Sequence, residues 1–248
     1  RRSAARHAPE CPDHLRLSPS RYRFGMAKSV KAPVAAWLGC AAALVLLALV
    51  AYGIDAAQRA DATLLAKFIS HEGSHWGSLA HRIVHLGDPG SLLVMLAVAC
   101  GIALWRGRPV DAVAAIVVVA GANLTTQVLK VALAHPRFQP VLGHDQLGPV
   151  AFPSGHSTAA ASIAIAFLFV AAPEWRPAVA FVGACLVAAV GCSVMILAWH
   201  FPSDVLGGIL VASGWGFAVL AGMRAIERPQ DPGGGIPQVS RPAAISVK

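Results

Sequence analysis

The sequence predicts an all-α membrane protein, a six-transmembrane-helix bundle whose clustered polar groups face the extracytoplasmic side. Three observations predict it. Of 248 residues, 56% are hydrophobic and only 13% are charged, with a mean hydropathy of +0.61, a balance that soluble domains rarely show. Six apolar stretches, at roughly 33–54, 89–105, 111–130, 155–172, 177–199 and 203–223, are mostly long enough to cross a hydrocarbon core of about 30 Å. The basic residues are also distributed by side. With the amino terminus in the cytoplasm, the positive groups at Arg1–Lys31, Arg106, Arg108, Arg176 and from Arg224 onward all lie inside, leaving only Arg59, Lys67, Arg82, Lys130 and Arg137 outside. One orientation satisfies the positive-inside rule. It accounts for the formal charge of +8 without a nucleic-acid partner.

Taken in order, residues 1–32 are basic, contain prolines and lack a helical apolar period, so they are expected to be a disordered cytoplasmic segment, with Met26 as a candidate start. The stretch Pro33 to Ile54 exceeds a signal-peptide core and has no cleavage site, which predicts a retained helix. Residues 56–86 read as an amphipathic extracytoplasmic connector, with Leu64, Leu65, Phe68 and Ile69 at the membrane interface. The second span, 89–105, is the shortest and needs residues from the Gly87 region to complete it. In the later spans Gly183, Gly191, Gly207, Gly208 and Gly214 predict close helix contacts. The six-helix domain is expected to occupy 33–223, and the Pro- and Gly-containing segment 224–248 to be a disordered cytoplasmic tail. Five cysteines without CxxC spacing predict no disulfide framework. The expected location is a bacterial inner or plasma membrane.

The third span places Asn123, Gln127 and Lys130 at i, i+4 and i+7, one polar stripe that should face the interior. Lys130 alone would serve as a residue snorkelling to the interface. Arg137, seven residues on, adds a planar donor fork to that point charge, so the pair suits a phosphate. Phe152-Pro153-Ser154-Gly155-His156 opens the fourth span. A helix amino end offers free N–H groups to an anion, and His156 would stand beside a leaving oxygen as proton donor. A plain serine N-cap with an interfacial histidine is the simpler account. At the start of the sixth span, His200 precedes Asp204 by four residues. The carboxylate can hold Nδ1–H and leave the other nitrogen free to attack phosphorus, or it can simply cap the helix.

Together these residues resemble the phosphatidic acid phosphatase type 2 superfamily, with its K-x6-R-P, P-S-G-H and S-R-x5-H-x3-D motifs, matched here by Lys130, Arg137, Pro153 to His156, Ser193, His200 and Asp204. The resemblance covers about 33–223. It implies a metal-independent, cofactor-free hydrolase of lipid phosphates or prenyl diphosphates in the bilayer. By the same resemblance His200 would become phosphohistidine, Asp204 would orient it and His156 would be the general acid. Lys130, Arg137, Ser154 and Gly155 would hold phosphoryl oxygens, with Asn123, Gln127, His135 and Ser193 as auxiliaries.

Two positions depart from the pattern. Phe138 replaces the proline after Arg137, and Val194 replaces the arginine that grips phosphate. Hydrogen bonds to charged groups contribute about 1.5–3 kcal/mol, so reduced activity is expected, with His135 or His144 as compensating groups and with Val194→Arg expected to raise hydrolysis. A silent lipid-phosphate binder and a phosphotransferase using the same histidine are the alternatives. His71-Glu72-Gly73-Ser74-His75 spells a zinc-protease pattern, but Gly73 and Ser74 weaken the helix that the pattern requires, so no metal site is expected.

Overall fold

The computed structural model describes residues 29–226. The expectations for 1–28 and 227–248, Cys11 and Met26 included, lie outside the described residues. Those residues form α1 (Lys31–Gly53), α2 (Asp55–Ile69), α3 (His75–Val84), α4 (Pro89–Trp105), α5 (Pro109–Ala132), α6 (Gly155–Val170), α7 (Arg176–Ile196) and α8 (Pro202–Ile226), with no strand. Helices α1, α5, α7 with the turn before it, and α8 are long and apolar enough to cross a membrane. The segment His75–Gly87 and α4 make a fifth candidate, bent by 55° at Asp88. Helix α6 is apolar but only 16 residues long, about 24 Å against a core of about 30 Å.

Helix α6 is central, packing against α4, α5, α7 and α8, while α1 lies along α8 and α4 along α5. Its buried stripe of Ala159, Ile163 and Ala166 meets Ala112, Ala115 and Val119 of α5 and Leu92, Ala99 and Ala103 of α4. Small residues bring these backbones together where apolar surroundings give helices little other reason to associate. A Cβ on Gly208 would stand 2.5 Å from the Ser154 carbonyl, and one on Gly207 would stand 2.8 Å from the Phe152 ring. Only glycine lets α8 press this closely on the start of α6. Gly183 and Gly191 are similarly confined against Ala164 and Val205, but a Cβ on Gly214 would meet ordinary contacts at 3.7 Å or more. That last glycine is not needed for close approach.

The connector differs from its interfacial reading. Leu64 is exposed, but Leu65 is fully buried and packs with Ala62, Ala80 and Val84 against Val194, Leu197 and Phe201. Phe68 and Ile69 pack against the same cluster. Helices α2 and α3 thus fold down onto α7, because burying leucine in a protein core also excludes polar headgroups. The zinc-protease pattern straddles the break between these helices. Helix α2 ends at Ile69, and Ser74 caps α3 by accepting from the Trp76 N–H at 3.2 Å, so His71 and His75 share no continuous helical face.

Two helix ends show how local chemistry sets the chain direction. At α4 the Arg108 N–H donates to Ala103 O and the Gly107 N–H to Leu104 O, with Gly107 at φ +66°. This is a Schellman end, in which a left-handed residue turns the last amides back onto the helix. At α7 the same bonds run from Trp199 to Val194 O and from Ala198 to Met195 O, but the left-handed residue is Ala198, at φ +56°.

Candidate active site

The sequence-selected groups meet at one end of the bundle, where α5 and α7 finish and α6 and α8 begin. The joint is made by backbone. The Ser154 N–H donates to Asp204 O at 2.9 Å, linking the loop before α6 directly to the first turn of α8.

On the α6 side, Ser154 is fully buried and its Oγ accepts from the Ser157 N–H at 3.3 Å. It is therefore an N-cap, as the simpler sequence account held, and this leaves the hydroxyl proton available. Gly155 and His156 are the first two residues of the helix, whose N–H groups have no intrahelical acceptor. Lys130 Nζ and Gln127 Nε2 lie 3.8 and 4.0 Å from where a Gly155 Cβ would stand. A cation, an amide and a helix amino end thus surround one small space. Asn123 sits deeper, donating to Val119 O at 2.8 Å and Ser162 Oγ at 3.2 Å, so it joins α5 to α6.

His156 Nε2 lies 3.2 Å from Asp88 Oδ1, and Asp88 Oδ2 lies 2.8 Å from His85 Nδ1. The Trp199 ring stands 5.4 Å from the His156 ring. Gly87 closes tightly on the same imidazole, since a Cβ there would stand 2.9 Å from His156 Cδ2. The bend between α3 and α4 therefore wraps His156.

On the α8 side, Asp204 is fully buried at the third helical position, where its Oδ2 accepts from the Phe201 N–H at 2.9 Å. This is the backward half of a capping box. Oδ1 takes a short bond from Arg137 Nη2. His200 Nδ1 lies 3.6 Å from Asp204 Oδ2 and makes no hydrogen bond among the described residues. The expected pair is therefore adjacent but not hydrogen-bonded, because the carboxylate is turned toward Phe201 N–H and Arg137.

Arg137 is buried. Nη1 donates to Ser203 Oγ at 3.0 Å and reaches Asp61 Oδ2 at 3.4 Å, and its guanidinium stacks 4.1 Å from the Phe201 ring and 5.2 Å from the Tyr52 ring. Asp61 of α2 accepts from Ser203 N–H at 3.0 Å and Ser203 Oγ at 2.5 Å. Burial pushes its carboxyl above the usual range, against the Ser203 bonds and the Arg137 charge. Lys130 lies within electrostatic reach of Asp204, and His156 of His200, so both halves share one field.

Sequence reasoning gave neither Asp61 nor Asp88 a role at this site. Both come from the connector, and no local spacing marks them. Ser193 does not face this cluster with its hydroxyl, which donates to Ala189 O at 2.8 Å within α7. His135 is exposed, with its ring edge-on to Tyr52 at 5.9 Å, so one aromatic ring separates it from Arg137. His144 and Phe138 are exposed in the loop after α5. Val194 is fully buried in the apolar cluster with Leu65 and Val84.

Residues 111–228 match the PAP2 superfamily model. No curated protein matches the chain. Among solved structures, a transmembrane PAP2-type phosphatidylglycerolphosphate phosphatase from Bacillus subtilis is similar, at 26% identity and a TM-score of 0.64, over 80% of this chain and 98% of that one. The matched region runs from the first turn of α5 through α8 and holds every motif residue singled out from the sequence, so the likeness to the PAP2 superfamily lies in the part of the chain that carries the candidate site.

Proposed function

We propose that this protein is an integral-membrane phosphatase of lipid phosphates or diphosphates, prenyl diphosphates included, acting through a phosphohistidine on His200. The observation that carries the reading is the meeting of two half-sites. Lys130, Gln127 and the α6 amino end surround one space, and His200 with Asp204 and Arg137 adjoins it through the Ser154–Asp204 backbone bond.

In this reading Lys130, the Ser154 hydroxyl and the Gly155 N–H seat the phosphoryl oxygens, and Arg137 adds its charge as the second cation. The free nitrogen of His200 attacks phosphorus as the bond to the lipid oxygen breaks, and His156 gives that oxygen its proton. Water then attacks the phosphohistidine, yielding its proton to His156 and restoring His200. Positioning and charge neutralisation carry such transfers, and these side chains supply both without a metal or cofactor. Six spans are assigned by adding α6 to the five candidates, with the site extracytoplasmic and both termini in the cytoplasm of a bacterial plasma membrane. The uneven distribution of basic residues supports that orientation.

A second reading, a lipid-phosphate binder with weak or no turnover, is favoured by two observations. Val194 supplies no charge, and Arg137 already faces two carboxylates. One experiment separates them. Purified protein in detergent, given prenyl diphosphate, phosphatidic acid and phosphatidylglycerol phosphate in turn, should release phosphate from at least one, and His200→Ala should stop it. Binding without release supports the silent reading.

A further inference from the structure

Arg137 is the basic group that the motifs assign to phosphate, yet its terminal nitrogens already have partners. Nη1 serves Ser203 and Asp61, and Nη2 serves Asp204, while Phe201 and Tyr52 cover its faces and only 4% of its side chain is exposed. To bind an anion as a planar fork, the guanidinium would have to leave a carboxylate. Two carboxylates against one guanidinium also leave one formal negative charge beside the space at Lys130 and Gly155. That charge repels a phosphate, and partial burial weakens its screening.

The Asp61 charge exceeds what local structure requires. Its Oδ1 satisfies the Ser203 N–H at 3.0 Å in the first turn of α8, a bond that an asparagine oxygen would accept equally well. Beyond its bonds to Ser203, the negative charge acts on Arg137 and Asp204.

We infer that Asp61 is a positioning residue that holds Arg137 on Asp204 and thereby sets how weakly the site retains phosphate. Resting on the phosphatase reading, this gives the connector a role in product release. A site that gripped the phosphate ion as firmly as the transition state would gain nothing in turnover. By keeping Arg137 paired, Asp61 limits ground-state binding, and it keeps the His200 partner from rotating away.

The test is the inhibition constant of inorganic phosphate, with KM and kcat, for the full chain in detergent acting on a short-chain lipid phosphate. Asp61→Asn can keep the bond from the Ser203 N–H, gives up the one from the Ser203 hydroxyl and removes the charge. It should tighten phosphate inhibition about tenfold and lower KM, while kcat does not rise. That gain should vanish when Asp61→Asn is combined with Arg137→Gln, since the effect acts through the guanidinium. Unchanged or weaker inhibition, with or without a loss of thermal stability, overturns the inference. If Asp61→Asn does not fold, Ser203→Ala, which removes the hydroxyl between Asp61 and Arg137, should tighten inhibition two- to threefold, and no change overturns it. Phosphate-dependent thermal stabilisation gives the same comparison without turnover. A wild-type protein that hydrolyses no lipid phosphate therefore defeats the phosphatase reading alone, while equal stabilisation of wild type and Asp61→Asn defeats this one.

Discussion

The Ser154 N–H donates to the Asp204 carbonyl at 2.9 Å, so the loop that presents His156 is fastened to the turn that presents His200. The bond forms only because Gly208 leaves room, its Cβ position lying 2.5 Å from Ser154 O and 2.9 Å from Thr158 Oγ1. Gly208→Ala should therefore separate the two half-sites, costing about 1–3 kcal/mol and at least tenfold in kcat/KM. Thermal unfolding and phosphate release measure the two losses, and normal values for both would show that the joint tolerates a methyl.

Restoring the family arginine at position 194 should fail, contrary to the expectation from the motif alone. Val194 is fully buried among Ala62, Leu65, Ala80 and Val84, so an arginine there would be an unpaired charge in an apolar cluster. Val194→Arg should cost about 3 kcal/mol or more, with lower hydrolysis. Thermal unfolding reads the first effect. A stable, faster enzyme would mean that the connector can open to admit the guanidinium.

Ala198 is held at φ +56° at the end of α7, where the comparable end of α4 uses Gly107. A left-handed alanine costs about 1–2 kcal/mol, so Ala198→Gly should raise the melting temperature by about 2–4 °C. An unchanged or lower Tm would show that the strain is relieved elsewhere.

Asp88 should act through His156, whose Nε2 lies 3.2 Å from its carboxylate. A neighbouring carboxylate favours the imidazolium, the form that can protonate a leaving oxygen. Asp88→Asn should slow hydrolysis of alkyl phosphates about tenfold yet barely affect an aryl phosphate, whose leaving group needs no proton. Equal slowing of both would assign Asp88 a structural role only.

How much was legible in the sequence follows from where the residues lie. Lys130, His156 and Asp204 lie in the end turns of α5, α6 and α8 and His200 just before α8, so their place at the helix ends was legible, whereas the turning of Asp204 away from His200 was not. The helical architecture was legible as well, since an apolar run of span length leaves the backbone few alternatives. Asp61 was not. It reaches Ser203 across 142 residues of chain, and such a contact leaves no periodic mark. Leu65 was misplaced because a leucine on an amphipathic helix looks the same whether it meets lipid or α7. Val194 was recognised as a departure, but its consequence depended on the connector that covers it.

The most direct test of the central claim is rapid acid-free quenching of the purified protein during turnover of a substrate labelled in its phosphoryl group. The account predicts an acid-labile, alkali-stable label that maps to His200 and disappears with phosphate release in His200→Ala. Label on another residue, or continued release by His200→Ala, would contradict it.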